Sequence, residues 1–154
     1  METRIPAMKD VKTLLENQMF WEKAIRRDDV PSANKYALRM THAVRRLRET
    51  EAGRSELDKL LTHSKPNIRL WAAGSAEAWA PDLAVPVLAR LLYEPLEKDG
   101  GAIEDVGIRM NAKAYLAQHF GLHPSDLREL PGRLADMGID LPDETARRLL
   151  WEQW

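Results

Sequence analysis

The residues that could do chemistry are few and dispersed. The chain has four histidines, His42, His63, His119 and His123, and no cysteine. Disulfides, thiolate nucleophiles and cysteine-held zinc or iron–sulfur sites are thereby excluded. His119 and His123 show the i, i+4 spacing of a helical zinc pair, but Gly121 and Pro124 end a helix between or beside them and no third ligand is near in sequence. They read as surface or capping histidines, and no metal is expected. The carboxylate pairs Asp28/Asp29 and Glu104/Asp105 are adjacent. On a helix such neighbours diverge by about 100°, so neither pair converges on one substrate as an acid and a base would. No glycine-rich loop opens a helix to cradle a phosphate, since Gly100-Gly101 falls in a polar connection and Gly53-Arg54-Ser55 reads as a turn. No serine has a nucleophile-elbow setting. Neither a catalytic residue nor a cofactor is expected, and the function left is binding.

Composition agrees with that. Hydrophobic residues make up 44% of the 154 and charged residues 31%, enough apolar content for one globular domain over 1–154. No apolar run approaches the roughly 18 residues of a membrane span, and METRIPAMKD lacks a signal peptide's apolar core. A cytoplasmic location without membrane partners is expected. A net charge of −1 argues against non-specific nucleic-acid binding. The charge is uneven, with 11 Lys/Arg against 7 Asp/Glu in residues 1–50 and 12 against 17 in 51–154. The acidic run Glu94, Glu97, Asp99, Glu104 and Asp105 could steer a basic partner.

The elements that must position these groups are all helical. Apolar residues recur at helical spacing from about Asp10 to Asp28, with Asp10 as a cap, and again from Ser32 through Ala33, Ala37, Met40, Val44 and Leu47. The two predict a helical hairpin. Gly53 then reads as a break, with Ser55 and Asp58 capping a short helix that carries Leu57, Leu60 and Leu61. Pro66 opens the helix of SKPNIRLWAAGSAEAW, and Pro81 opens LAVPVLARLLY. The segment VGIRMNAKAYLAQHF closes at Gly121; a short segment from Pro124-Ser125, interrupted by Pro131, and DETARRLLWEQW follow as a helical cap over about 124–154. In the last, Ala146, Leu150 and Trp154 share one side. No segment alternates long enough to predict a strand.

A 40-residue shift lays Ile68-Arg69-Leu70-Trp71-Ala72 over Ile108-Arg109-Met110-Asn111-Ala112, with Ala76 meeting Leu116. This is the period of a helix pair, a unit too small to stand without stacked neighbours. The stretch LLTHSKPNIRLWAAGSAEAWAPDLAVPVLARLL resembles a HEAT repeat: Ile68, Arg69, Ala72 and Ala73 match its second helix, and Ile108, Arg109 and Ala112 match a second copy. HEAT repeats usually place an aspartate in the turn before the arginine. Here that turn is Thr62-His63-Ser64, so an Asp–Arg ladder is not expected at Arg69, while Glu104 or Asp105 could serve Arg109. The resemblance implies an all-α fold, a right-handed superhelix of antiparallel helix pairs forming a HEAT-like α-solenoid, with a repeat-like core over about 10–121.

The order of RRDDVPSANKYALRM, the HEAT-like stretch and GIRMNAKAYLAQHFG is similar to a family of small bacterial HEAT-like proteins known as a domain of unknown function. Members are often found beside polymorphic toxins. The resemblance implies an immunity protein that binds and neutralises a cognate protein toxin. On such a scaffold Trp71, Asn111, Tyr115 and Arg69 could line a concave interface, where aromatic residues carry binding energy. Trp79, continuing the Ile68–Ala72–Ala76 stripe, reads as core. A general scaffold or adaptor is the second reading. A HEAT-like DNA glycosylase, with Trp71, Trp79 and Asp82 in its site, is the third, and the basic groove it needs is missing.

Overall fold

The computed structural model describes residues 4–96 and 102–151, with side chains described for 5–96 and 105–150. The described residues form eight helices and no strand, so the chain is all-α. None of these helices is long and apolar enough to cross a membrane. The chain divides after Ala76 into two compact units, inside the stretch expected to form one repeat-like core.

Unit 1 holds α1 (Arg4–Arg26), α2 (Val30–Arg48), α3 (Glu51–Leu60) and α4 (Pro66–Ala76). Helices α1 and α2 run antiparallel: Arg46 Nε bonds Asp10 Oδ1 at 2.8 Å, and ten residues further along α1 Phe20 meets Tyr36, ten residues back along α2. Asp10 therefore sits inside α1 and is not its cap. The helix starts earlier, at Arg4, with Pro6 tolerated in the first turn, where its missing N–H has no helical partner. It ends as the amide of Asp28 bonds the Ile25 carbonyl and that of Asp29 the Ala24 carbonyl, with Asp28 at φ 58°. This is a left-handed helix terminus occupied by a residue other than glycine. Asp29 then caps α2 through Ser32 N, and those hydrogen bonds hold its carboxyl below the usual carboxylate range.

The start of α3 departs from the sequence reading. Thr50 Oγ1 accepts from Gly53 N at 2.9 Å, so Thr50 is the cap and Gly53 and Ser55 lie inside the helix. Gly53 is there for space: a Cβ on it would run into the Leu47 carbonyl at the end of α2. Its absent side chain lets α3 leave α2 at close quarters. Around α4, Ile68, Ala72, Ala73 and Ala76 are fully buried, as their spacing predicts. Trp79 does not extend that stripe. The helix stops at Ala76, and Trp79 is half-buried in the turn over 77–79 that leads into Pro81.

Unit 2 holds α5 (Pro81–Arg90), α6 (Ala102–Phe120), α7 (Leu130–Asp136) and α8 (Asp143–Trp151), each packed on the next. Pro86 lies within α5; the carbonyl it cannot serve belongs to Asp82, an exposed first-turn residue. Helix α6 ends at Gly121, with φ 68° and the Leu122 amide on the Ala117 carbonyl. Pro131 starts α7 and does not interrupt an earlier helix. In α8 Leu149 is buried and Leu150 exposed, one residue away from the expected stripe. The buried position goes to the i, i+3 partner of Ala146 and not to the i, i+4 one, and helical spacing allows both. Trp154 lies outside the described residues, as does the side chain of Trp151.

Candidate functional site

The second helix of each expected repeat begins from a turn that its own arginine closes. In unit 1, Arg69 Nη1 donates to the carbonyls of His63 (2.9 Å) and Ser64 (3.2 Å). These follow the end of α3, where carbonyls lose their helical partners. His63 Nδ1 accepts from Lys65 N at 3.0 Å, which requires that nitrogen unprotonated. Burial, then the charges of Lys65 and Arg69, push the His63 pKa down in the same direction.

Lys65 Nζ reaches back to both carboxylate oxygens of Glu22 on α1, at 3.0 and 2.8 Å. Gln18 Nε2 donates to Glu22 Oε1 (3.1 Å), and Asn67 Nδ2 donates to Gln18 Oε1 (2.6 Å). Gln18 is only 1% exposed, so the network secures α1 to the start of α4 from within unit 1. Sequence reasoning missed it. The available signal was Gln18 standing on an otherwise apolar stripe, with Glu22 one turn on.

In unit 2 Arg109 makes the matching connection across a longer interval, donating to the carbonyls of Leu91 (3.2 Å) and Glu94 (3.0 Å) after α5, and not to Asp105. Burial follows the same overlay in part: Ala72 and Ala112 are buried, as are Ala76 and Leu116, but Ile68 is fully buried and Ile108 only half-buried. The outer positions differ. Leu70 is buried whereas its counterpart Met110 is 60% exposed, beside exposed Val106 one turn earlier. Lys113, the counterpart of Ala73, is a buried lysine that sequence reasoning did not single out.

The expected binding residues divide between the units. Trp71 is half-buried on α4 in unit 1, on a narrow strip with half-buried Asn67 and Gly74, while half-buried Arg69 lies on the other side of the helix. The others belong to unit 2. Asn111 is exposed and Tyr115 half-buried, one turn apart on α6, so these two are brought together. Asp105 is half-buried on the same helix, and Glu94, also half-buried, is tied through its carbonyl to Arg109. Glu97 and Asp99 lie outside the described residues, and of Glu104 only the helical backbone is described.

The paired histidines go separate ways. His119 Nδ1 is 2.9 Å from Glu77 Oε2, while His123 Nδ1 accepts from Ser125 N at 3.1 Å. Among the described residues no group of three or more His, Cys, Asp or Glu is placed to hold a metal ion. What the geometry offers chemically is a set of fixed turns beneath partly exposed helix faces. Compared with known protein families, with curated proteins and with solved structures, the chain matches none of them.

Proposed function

We propose that the protein is a non-catalytic binding domain whose helix pairs build a HEAT-like α-solenoid, and that it acts in the cytoplasm as an immunity protein against a cognate protein toxin. The observation that supports binding is the outer strip of α6. Val106 and Met110, two large apolar side chains, are each more than half exposed, beside exposed Asn111 and half-buried Tyr115. Exposed apolar side chains grouped on one element mark interaction surfaces. The solenoid reading draws on Arg69 and Arg109, each of which bonds two carbonyls that follow the preceding helix, and on the burial shared by Ala72 with Ala112 and by Ala76 with Leu116. The immunity role draws on the family resemblance of the sequence.

The test is co-expression with toxin-like proteins encoded beside the gene. An immunity protein forms a stable complex with one of them and restores growth, and Met110→Asp weakens that complex at least tenfold with helicity unchanged. Binding to another protein without protection would leave an adaptor. No capture and no protection would end the immunity reading.

A further inference from the structure

The strongest charged surface of unit 1 lies on α2. From Val30 to Arg48 the helix carries Lys35, Arg39, Arg45, Arg46 and Arg48 and not one Asp or Glu. The division between the units also divides the charge: residues 1–76 hold 15 Lys/Arg against 10 Asp/Glu, a net of +5, and residues 77–154 hold 8 against 14, a net of −6. Lys35, Arg39, His42 and Arg46 follow at intervals of four, three and four residues, which keeps them within about 60° of one another along about 16 Å of helix. All four are exposed. Arg46 is held by Asp10, but among the described residues Lys35, Arg39 and Arg45 have no carboxylate within ion-pair distance.

Two of these cations are held in place by an aromatic ring. Lys35 Nζ lies 5.8 Å and the Arg39 guanidinium carbon 5.7 Å from the centroid of Tyr36, and Phe20 of α1 packs on the same ring at 5.4 Å. The ring attracts the cations electrostatically and limits their motion without neutralising them. Leu38, 56% exposed, stands on the same face. We infer that this face of α2 docks an acidic segment of a partner protein, with its carboxylates on Lys35 and Arg39 and an apolar side chain over Leu38.

Charge complementarity selects an anionic occupant, and the surroundings select protein among the anionic classes. A single-stranded nucleic acid stacks bases on open aromatic faces, but Tyr36 already has Phe20 and two cations around its ring. A basic membrane-surface helix needs an apolar face to insert, yet the apolar side of α2, with Met40, Val44 and Leu47, is buried. This inference rests on the binding reading above and gives the partner's chemistry at a second surface.

The experiment uses the full chain and three labelled probes of equal charge: a Glu/Asp-rich peptide containing one leucine, a poly-dT oligonucleotide, and vesicles containing phosphatidylserine. Fluorescence anisotropy, or co-sedimentation for the vesicles, reads binding. The peptide is expected to bind more tightly than either other probe. Lys35→Glu with Arg39→Glu should weaken it about tenfold or more, the milder pair Lys35→Gln with Arg39→Gln about threefold, and added salt should weaken the wild type more than the double Glu variant. Circular dichroism reports whether each variant is folded, and the milder pair decides should the reversed one not fold. Tighter binding of the oligonucleotide or the vesicles overturns the proposal. So does peptide binding that ignores both substitutions, or a dimer of this chain that needs Lys35 and Arg39. If the peptide fails while a co-encoded partner is still captured through Met110, the α2 inference falls and the binding reading stands.

Discussion

The α3–α4 turn of unit 1 and the α5–α6 connection of unit 2 use the same arginine on different problems. Arg69 reaches back five or six residues to Ser64 and His63; Arg109 reaches back fifteen or eighteen to Glu94 and Leu91. The short turn has further ties in His63 Nδ1 and the Lys65–Glu22 pair. The long connection gathers two carbonyls that are three residues apart, one of them on fully buried Leu91. A guanidinium has five donors in a rigid fork, and it can end a helix whatever the length of chain that separates it from that helix. The two arginines thus share a role set by where each stands on its helix, although the connections before them differ in length and in their own residues.

That comparison is sharpest when each arginine is removed. Arg109→Ala should cost about 3 kcal/mol, since two charge-assisted bonds go and a buried residue's carbonyl loses its donor, while Arg69→Ala should cost about 1–2 kcal/mol because the short turn keeps its other ties. Urea unfolding of the two variants measures this, and equal losses would mean that turn length is irrelevant. Asn67→Ala comes next. It takes the donor from Gln18 Oε1 in an almost fully buried amide and should cost about 1–2 kcal/mol.

Acid distinguishes the two turns in a third way. The folded-state pKa of His63 lies below its ordinary value of 6.5 because of burial and the nearby Lys65 and Arg69 charges. As pH falls through 6.5 the unfolded chain takes up the proton before the folded one, so stability drops, levelling only below the depressed folded value. Denaturation midpoints between pH 7.5 and 5.5 should show this slope. His63→Asn, whose amide oxygen can still accept from Lys65 N, should flatten it, whereas Arg109→Ala should leave it intact. A slope unchanged in His63→Asn would assign the effect to another group.

The smallest effect compares two helix ends. Asp28 and Gly121 both occupy left-handed positions with equivalent hydrogen bonds, but only Gly121 does so without a side-chain penalty. Asp28→Gly should stabilise the protein by about 0.5–1 kcal/mol, and Gly121→Ala should destabilise it by about 1 kcal/mol. A loss on Asp28→Gly would show that the Asp28 carboxylate does something the backbone pattern does not reveal.

Much of this architecture was legible residue by residue. Ile68, Ala72 and Ala76 recur at helical spacing and are buried; Pro66 and Pro81 open helices; Gly121 closes one. Gly53 misled, since a glycine that allows close approach is indistinguishable in sequence from one that breaks a helix. The Ser55 cap failed because Thr50, three residues before Gly53, makes the bond first. The candidate surface was less legible. Met110 and Leu70 occupy equivalent positions in the repeat but opposite environments, and no local pattern separates them.

By itself the sequence determined the all-α class, the punctuation of the helices and the place of Arg69 and Arg109, because helical period, proline's missing N–H and glycine's left-handed freedom act within a few residues. Tertiary structure alone decided which carbonyls Arg109 bonds, that Gln18 and Glu22 anchor Lys65 and Asn67, that Leu149 rather than Leu150 is buried, and that Phe20 of α1 packs on the Tyr36 ring beside Lys35 and Arg39. Long side chains can reach many partners, and only the packed chain determines which carbonyl, carboxylate or ring comes within three to six ångströms of them.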